Sequence, residues 1–139
     1  MSSEKEIAIH QAYLDSSNRF DHFLLGASLA ACGYLAQTNP YGRIGYNVET
    51  MYLVALVSLA MSAFCGFRRL DRITGALKAN AHFLALPTNI SRDAHLRAKA
   101  LVQQAADAPG KWYSLRNGFL YAGFVAYIGT KVFAQYLQP

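Results

Sequence analysis

Apolar positions along this chain fall into three blocks separated by polar stretches. The middle block is the clearest. It lies within residues 47–72, NVETMYLVALVSLAMSAFCGFRRLDR, where residues 50–67 carry no formal charge. Glu49 stands before that run, and Arg68, Arg69 and Arg72 follow it. Eighteen uncharged, mostly apolar residues closed by arginines predict a membrane-crossing helix with a basic stop. The first block, about residues 20–37, reads FDHFLLGASLAACGYLAQ. Its uncharged core after His22 is short for a full span at 1.5 Å per residue, but Phe20, Phe23 and Tyr34 supply interfacial aromatics. The third block, about residues 114–136, follows Trp112 and Tyr113 and is interrupted by Lys131, which lies near enough to its end to snorkel.

Helical spacing does not stop at the arginines of the middle block. Leu70, Ile73, Ala76, Leu77, Phe83 and Leu84 continue it, and Pro87 is the expected break. Ser91 is a good N-cap, with Asp93 in the first turn behind it. A helix from residue 92 to about 106 then presents Ala94, Ala98, Leu101, Val102 and Ala105 on one face, and DAPGKW is expected to end it. Residues 69–108 therefore read as a helical hairpin between the second and third blocks. Before the first block, residues 3–19 read as a short helix with a capping box of Ser3 and Glu6. That helix either lies at an interface or runs straight into the first block. NPYGRIGYN, residues 39–47, is a compact turn that makes the first two blocks an antiparallel hairpin. The expected fold is an all-α membrane protein: three transmembrane helices with a cytoplasmic helical hairpin between the second and third, in a single membrane domain spanning residues 1–139.

Small residues recur at intervals of four. Gly26 and Ala30 form one such row, beside Ala27 with Ala31 and Ser28 with Cys32 and Ala36. Ser58, Ser62 and Gly66 form a second, and Gly118, Ala122, Ala126, Thr130 and Ala134 a third. This spacing permits close helix approach in lipid and predicts helix-packing seams.

Composition sharpens the picture. The chain is 53% hydrophobic and 15% charged, against about 25% charged for an ordinary soluble domain. A net charge of +5 and a pI near 9.4 suggest nucleic acid at first sight. The distribution argues for topology instead: residues 68–116 hold nine of the 13 basic residues and three acidic ones. The expected orientation is N-terminus cytoplasmic and C-terminus periplasmic, with membrane lipid as a partner and no nucleic acid. The first 19 residues are polar and lack an early apolar core, so the first block itself is expected to direct insertion.

Catalytic signatures are missing from the sequence. There is no phosphate loop, nucleophile elbow, HExxH or CxxC. Cys32 and Cys65 fall at different depths of their blocks, which disfavours a disulfide within one chain. His10, His22, His82 and His95 lack metal-ligand spacing, and RDAH at 92–95 is too short for a ribonuclease-type Arg–His pair. No cofactor, metal or catalytic residue is expected, and the chain is not read as an enzyme. One constellation stands out: Asp21 opens the first block, Arg68 and Arg69 close the second, and Arg116 opens the third. All four fall near one plane, and ion pairing there would lock the three helices together at that rim.

FDHFLLG, the QT after the first block, Glu49 and GFRRLD together resemble a pattern in small uncharacterised bacterial inner-membrane proteins, over about residues 20–71. The resemblance implies a bacterial inner (plasma) membrane and the hairpin of the first two spans, and no mechanism. The functional expectation is a non-enzymatic membrane protein acting by homo-oligomerisation or as a small subunit bound to a larger membrane-protein partner. An immunity or defence protein and an oligomeric pore are the alternatives. For the pore, the candidate polar residues, Ser58, Ser62, Asn117 and Thr130, are few and small.

Overall fold

A computed structural model describes residues 2–85 and 91–136. Among the described residues the secondary structure is entirely helical. Three long helices follow one another: α1 (Ser2–Thr38), α2 (Val48–Leu84) and α3 (Arg92–Phe133), the last ending in a 3-10 turn over Ala134–Tyr136. The expected break at Pro87 and the side chain of Ser3 lie outside the described residues.

Two segments are more continuous than their sequence suggests. The N-terminal helix and the first apolar block form one helix of 37 residues, which decides between the two readings of residues 3–19. The hairpin's second arm and the third apolar block are likewise one helix of 42 residues, so DAPGKW does not end it. Pro109 sits inside α3 and removes the N–H that would bond to the carbonyl of residue 105. Contacts with α2 hold the helix at and just after the proline. Phe64 meets Trp112 edge-on at 6.5 Å, and Arg69 Nη1 donates to the Pro109 carbonyl at 3.4 Å.

The helix starts are explained locally. Asn47 Oδ1 accepts from the Thr50 backbone N–H at 2.9 Å and caps α2, and its amide donates to the Arg43 carbonyl at 2.7 Å. Ser91 Oγ accepts from Ala94 N–H at 3.4 Å and caps α3.

α2 is the central element, packed against α3 along one side and against α1 along another. Its buried stripe runs Tyr52, Ala55, Leu59, Ser62, Ala63, Cys65 and Gly66. Leu35 and Ser28 are the fully buried contributions of α1 to the same core, with Asn39 just beyond its end. Gly123 of α3 marks the tightest crossing: a Cβ there would lie 2.7 Å from Leu59 Cγ and 3.2 Å from the Leu59 backbone nitrogen. Glycine is required at that point by the partner helix rather than by its own backbone.

Among the described helices, α2 alone is long and apolar enough to cross a membrane by length and composition, with a window of mean hydropathy 1.8. Three spans of that kind are not present among the described residues: the apolar block of α1 is diluted by Asp21, His22 and Gln37, and that of α3 by Arg116, Asn117, Lys131 and its glycines and tyrosines. From residue 70 to residue 115, the arms of α2 and α3 contain no fully buried side chain among the described residues. Their contact is made by half-buried Ile73, Ala76, Phe83, Ala98, Val102 and Ala105, while Ala94 and Leu101 face outward. Phe83 and His95 stack with ring centroids 5.1 Å apart.

Candidate functional site

The charged residues at the ends of the apolar blocks converge on Asp21. It lies in α1 and is 3% exposed. Its Oδ1 accepts from Arg116 Nη1 of α3 at 2.5 Å, and its Oδ2 accepts from Arg69 Nε of α2 at 2.8 Å. One carboxylate therefore joins all three helices. Arg116 is itself 2% exposed. Its Nε and Nη2 donate to Asn117 Oδ1, both at 3.1 Å. Tyr113, one turn earlier on α3, places its ring under both guanidinium groups, 4.9 Å from Arg69 and 5.1 Å from Arg116. Ser62, fully buried on α2, donates to the Arg116 backbone carbonyl at 2.9 Å. Among the described residues, no buried side-chain nitrogen or oxygen in this core lacks a hydrogen-bond partner, as a buried charge requires.

Arg68 takes no part. It is exposed and lies over the Phe64 ring at 5.6 Å. Adjacent helix positions differ by about 100° in direction, so Arg68 and Arg69 cannot face the same neighbour. The rim cluster is thus Asp21, Arg69 and Arg116, with Tyr113 and Asn117 as members that the spacing of charges does not reveal. The available signal for both was their position beside Arg116.

The small-residue rows divide in the same way. Ser62 and Gly66 are buried and Ser58 half-buried, so the α2 row packs inside the chain. Gly26 and Ala30 are exposed, and a Cβ on Gly26 would meet nothing within 4 Å. The face of α1 that packs is offset from them and carries Ser28, Cys32 and Leu35. On α3, Gly118 and Ala122 are exposed, Ala126 and Ala134 half-buried, and Thr130 buried. A row at intervals of four is not a straight stripe: each step turns about 40° round the helix, so five residues sweep about 160°. Only one end of the row can face α2. Cys32 and Cys65 are both free thiols.

At the opposite end of the packed region a second rim is built from uncharged groups and one lysine. Asn39 donates to the Tyr52 carbonyl at 3.3 Å, and Tyr52 and Tyr127 pack with centroids 6.0 Å apart. Lys131 Nζ lies over both rings, at 5.6 and 6.0 Å. Asp21 on α1 and Asn39 just past its end are 18 residues apart, and Tyr52 and Arg69 are 17 apart on α2. The two rims are therefore separated by roughly 26 Å of helix.

Beside the charged rim is a cavity of about 580 Å³, lined by Tyr13, Ser16, Ser17, Phe20, Asp21, Arg69, Gly110 and Tyr113. No cluster of His, Cys, Asp and Glu able to hold a metal occurs among the described residues. No protein-family model, curated protein or solved structure matches this chain.

Proposed function

We propose that this chain is a non-enzymatic integral membrane protein of the bacterial inner membrane. It acts by assembly, either with further copies of itself or as a small subunit on a larger membrane partner. The observation that carries the membrane reading is on α2. Its most apolar window, of mean hydropathy 1.8, is only 39% buried. The core helix of a water-soluble protein would hide such a surface; a lipid-facing helix leaves it outward. Met51, Val54, Val57, Met61, Phe64 and Phe67 are its exposed large side chains.

The spacing of the two rims supports three spans despite the lower hydropathy of α1 and α3. The polar ends are separated by about 26 Å along α1 and α2 and by about 22 Å along α3, between Arg116 and Lys131, against the roughly 30 Å of a bilayer core. Phe23 and Leu29 on α1, and Tyr121, Val125 and Ile128 on α3, are exposed between those rims. The basic bias of residues 68–116 supports a cytoplasmic location for the charged rim. The charged groups of that rim, Asp21, Arg69 and Arg116, are committed to one another across the three helices.

Assembly is supported by the small-residue faces that the chain does not use internally, Gly26 with Ala30 and Gly118 with Ala122. Cysteine crosslinking in native membranes tests this. Ala30→Cys and Ala122→Cys are expected to yield crosslinked species and Thr130→Cys, whose position is buried, is not. Monomer alone from every variant, with no co-purifying protein, overturns the reading.

A further inference from the structure

The cavity beside the charged rim has properties that helix locking does not require. Its lining residues include four that carry hydroxyl groups, Tyr13, Ser16, Ser17 and Tyr113, together with Arg69. Both oxygens of Asp21 are already engaged by arginines, one from Arg69 and one from Arg116. The cluster of one carboxylate and two guanidiniums thus retains one net positive charge. Arg116 is enclosed behind the cluster, while the Arg69 side chain is 14% exposed and lines the cavity. Among the described residues, Arg69 Nε donates to Asp21 and Nη1 to the Pro109 carbonyl, and Nη2 donates to nothing. A guanidinium with hydrogen-bond capacity to spare, in a cavity shared with four hydroxyl-bearing residues, suits an anion with several oxygens. No acidic residue other than the engaged Asp21 lines the space.

Size narrows the ligand. A volume of about 580 Å³ falls in the range of small-molecule sites, on the order of 300–1,000 Å³, and exceeds what a bare ion fills. Phe20 and the tyrosine rings provide apolar wall for the group attached to the anion. We propose that this cavity binds a phosphate ester, with the phosphate on Arg69 and the hydroxyls and its organic substituent against Phe20. Two sources share that chemistry: the headgroup of an anionic phospholipid, and a soluble phosphate ester. The cavity lies one to two helical turns beyond Asp21, away from the apolar belt. For the lipid source that position is the headgroup layer, and this part of the inference rests on the membrane reading above; the anion site itself does not.

The test uses the full chain, delipidated in neutral detergent. Its thermal midpoint and native mass spectrum are followed against short-chain phosphatidylglycerol, phosphatidylcholine of the same chain length, and glycerol 3-phosphate. Tighter retention of phosphatidylglycerol than of phosphatidylcholine, by about tenfold or more and weakened by salt, identifies the lipid source. Stabilisation by glycerol 3-phosphate with no preference between the lipids identifies the soluble source. Ser17→Asp and Ser16→Asp place a negative charge in the cavity without touching the Asp21 pairs. Either is expected to weaken binding at least tenfold, with the ligand-free midpoint unchanged, and Ser17→Asn is expected to retain it. Equal binding of both lipids with no response to glycerol 3-phosphate overturns the site, as does binding that both aspartate variants leave intact. These outcomes are independent of crosslinking, so the cavity and the assembly reading fail separately.

Discussion

Asp21 shows how much one residue can decide. Its carboxylate pairs with an arginine on each of the other two helices, one oxygen to each. Removing one member of a buried ion pair costs about 3–5 kcal/mol, because the remaining charge stays buried without its partner. Asp21→Asn keeps the shape and leaves two guanidiniums uncompensated. A loss in this range is expected in detergent melting, and an unchanged midpoint would show that the cluster does not hold the helices. Arg69→Lys is also expected to destabilise, since an ammonium cannot reproduce the Nε bond to Asp21 together with the Nη1 bond to Pro109. Arg68→Gln, at an exposed position over Phe64, should change the midpoint little. Asp21 and the arginines were legible in the sequence because charges at the edges of apolar blocks are few. Which of the adjacent pair Arg68 and Arg69 faces inward was not legible, because it depends on the rotation of α2 about its own axis.

At the scale of the elements, two glycines on the same helix make opposite predictions. Gly123→Ala puts a methyl group into Leu59 and is expected to cost about 1–3 kcal/mol, the range of overpacking. Gly118→Ala meets open space within the chain and should raise helix stability by up to about 1 kcal/mol. Unfolding curves of the two variants check the contrast, and equal effects would mean that α2 and α3 do not cross at Gly123. Pro109→Ala restores an N–H inside α3, so amide exchange around residues 105–113 is expected to slow. Faster exchange in that variant would contradict a continuous helix. The sequence pointed to the row Gly118, Ala122, Ala126, Thr130 and Ala134 and passed over Gly123. The row is regular in sequence but turns round the helix, whereas Gly123 matters only because Leu59 arrives there.

For the whole molecule, the two rims make a topological prediction. Cysteines at Ser16, beside the charged rim, and at Tyr41, in the turn past Asn39, should label from opposite sides of the membrane in intact cells. Labelling of both from one side would remove the three-span proposal. The arms beyond the charged rim, where no described side chain is fully buried, are expected to exchange amides faster than the region between the rims. The sequence by itself determined that the chain is helical, where α2 starts, that it runs on past its arginines, and which few charges border the apolar blocks. These follow from local spacing and capping, and each is a property of one segment. Tertiary structure alone decided that α1 and α3 continue through Arg19 and Pro109, which small residues pack within the chain and which remain outside, and that Asp21 selects Arg69 and Arg116. Those outcomes depend on the rotation and height of each helix against its neighbours. Such relations are set by side chains meeting across 40 to 100 residues of chain, and no local pattern encodes them.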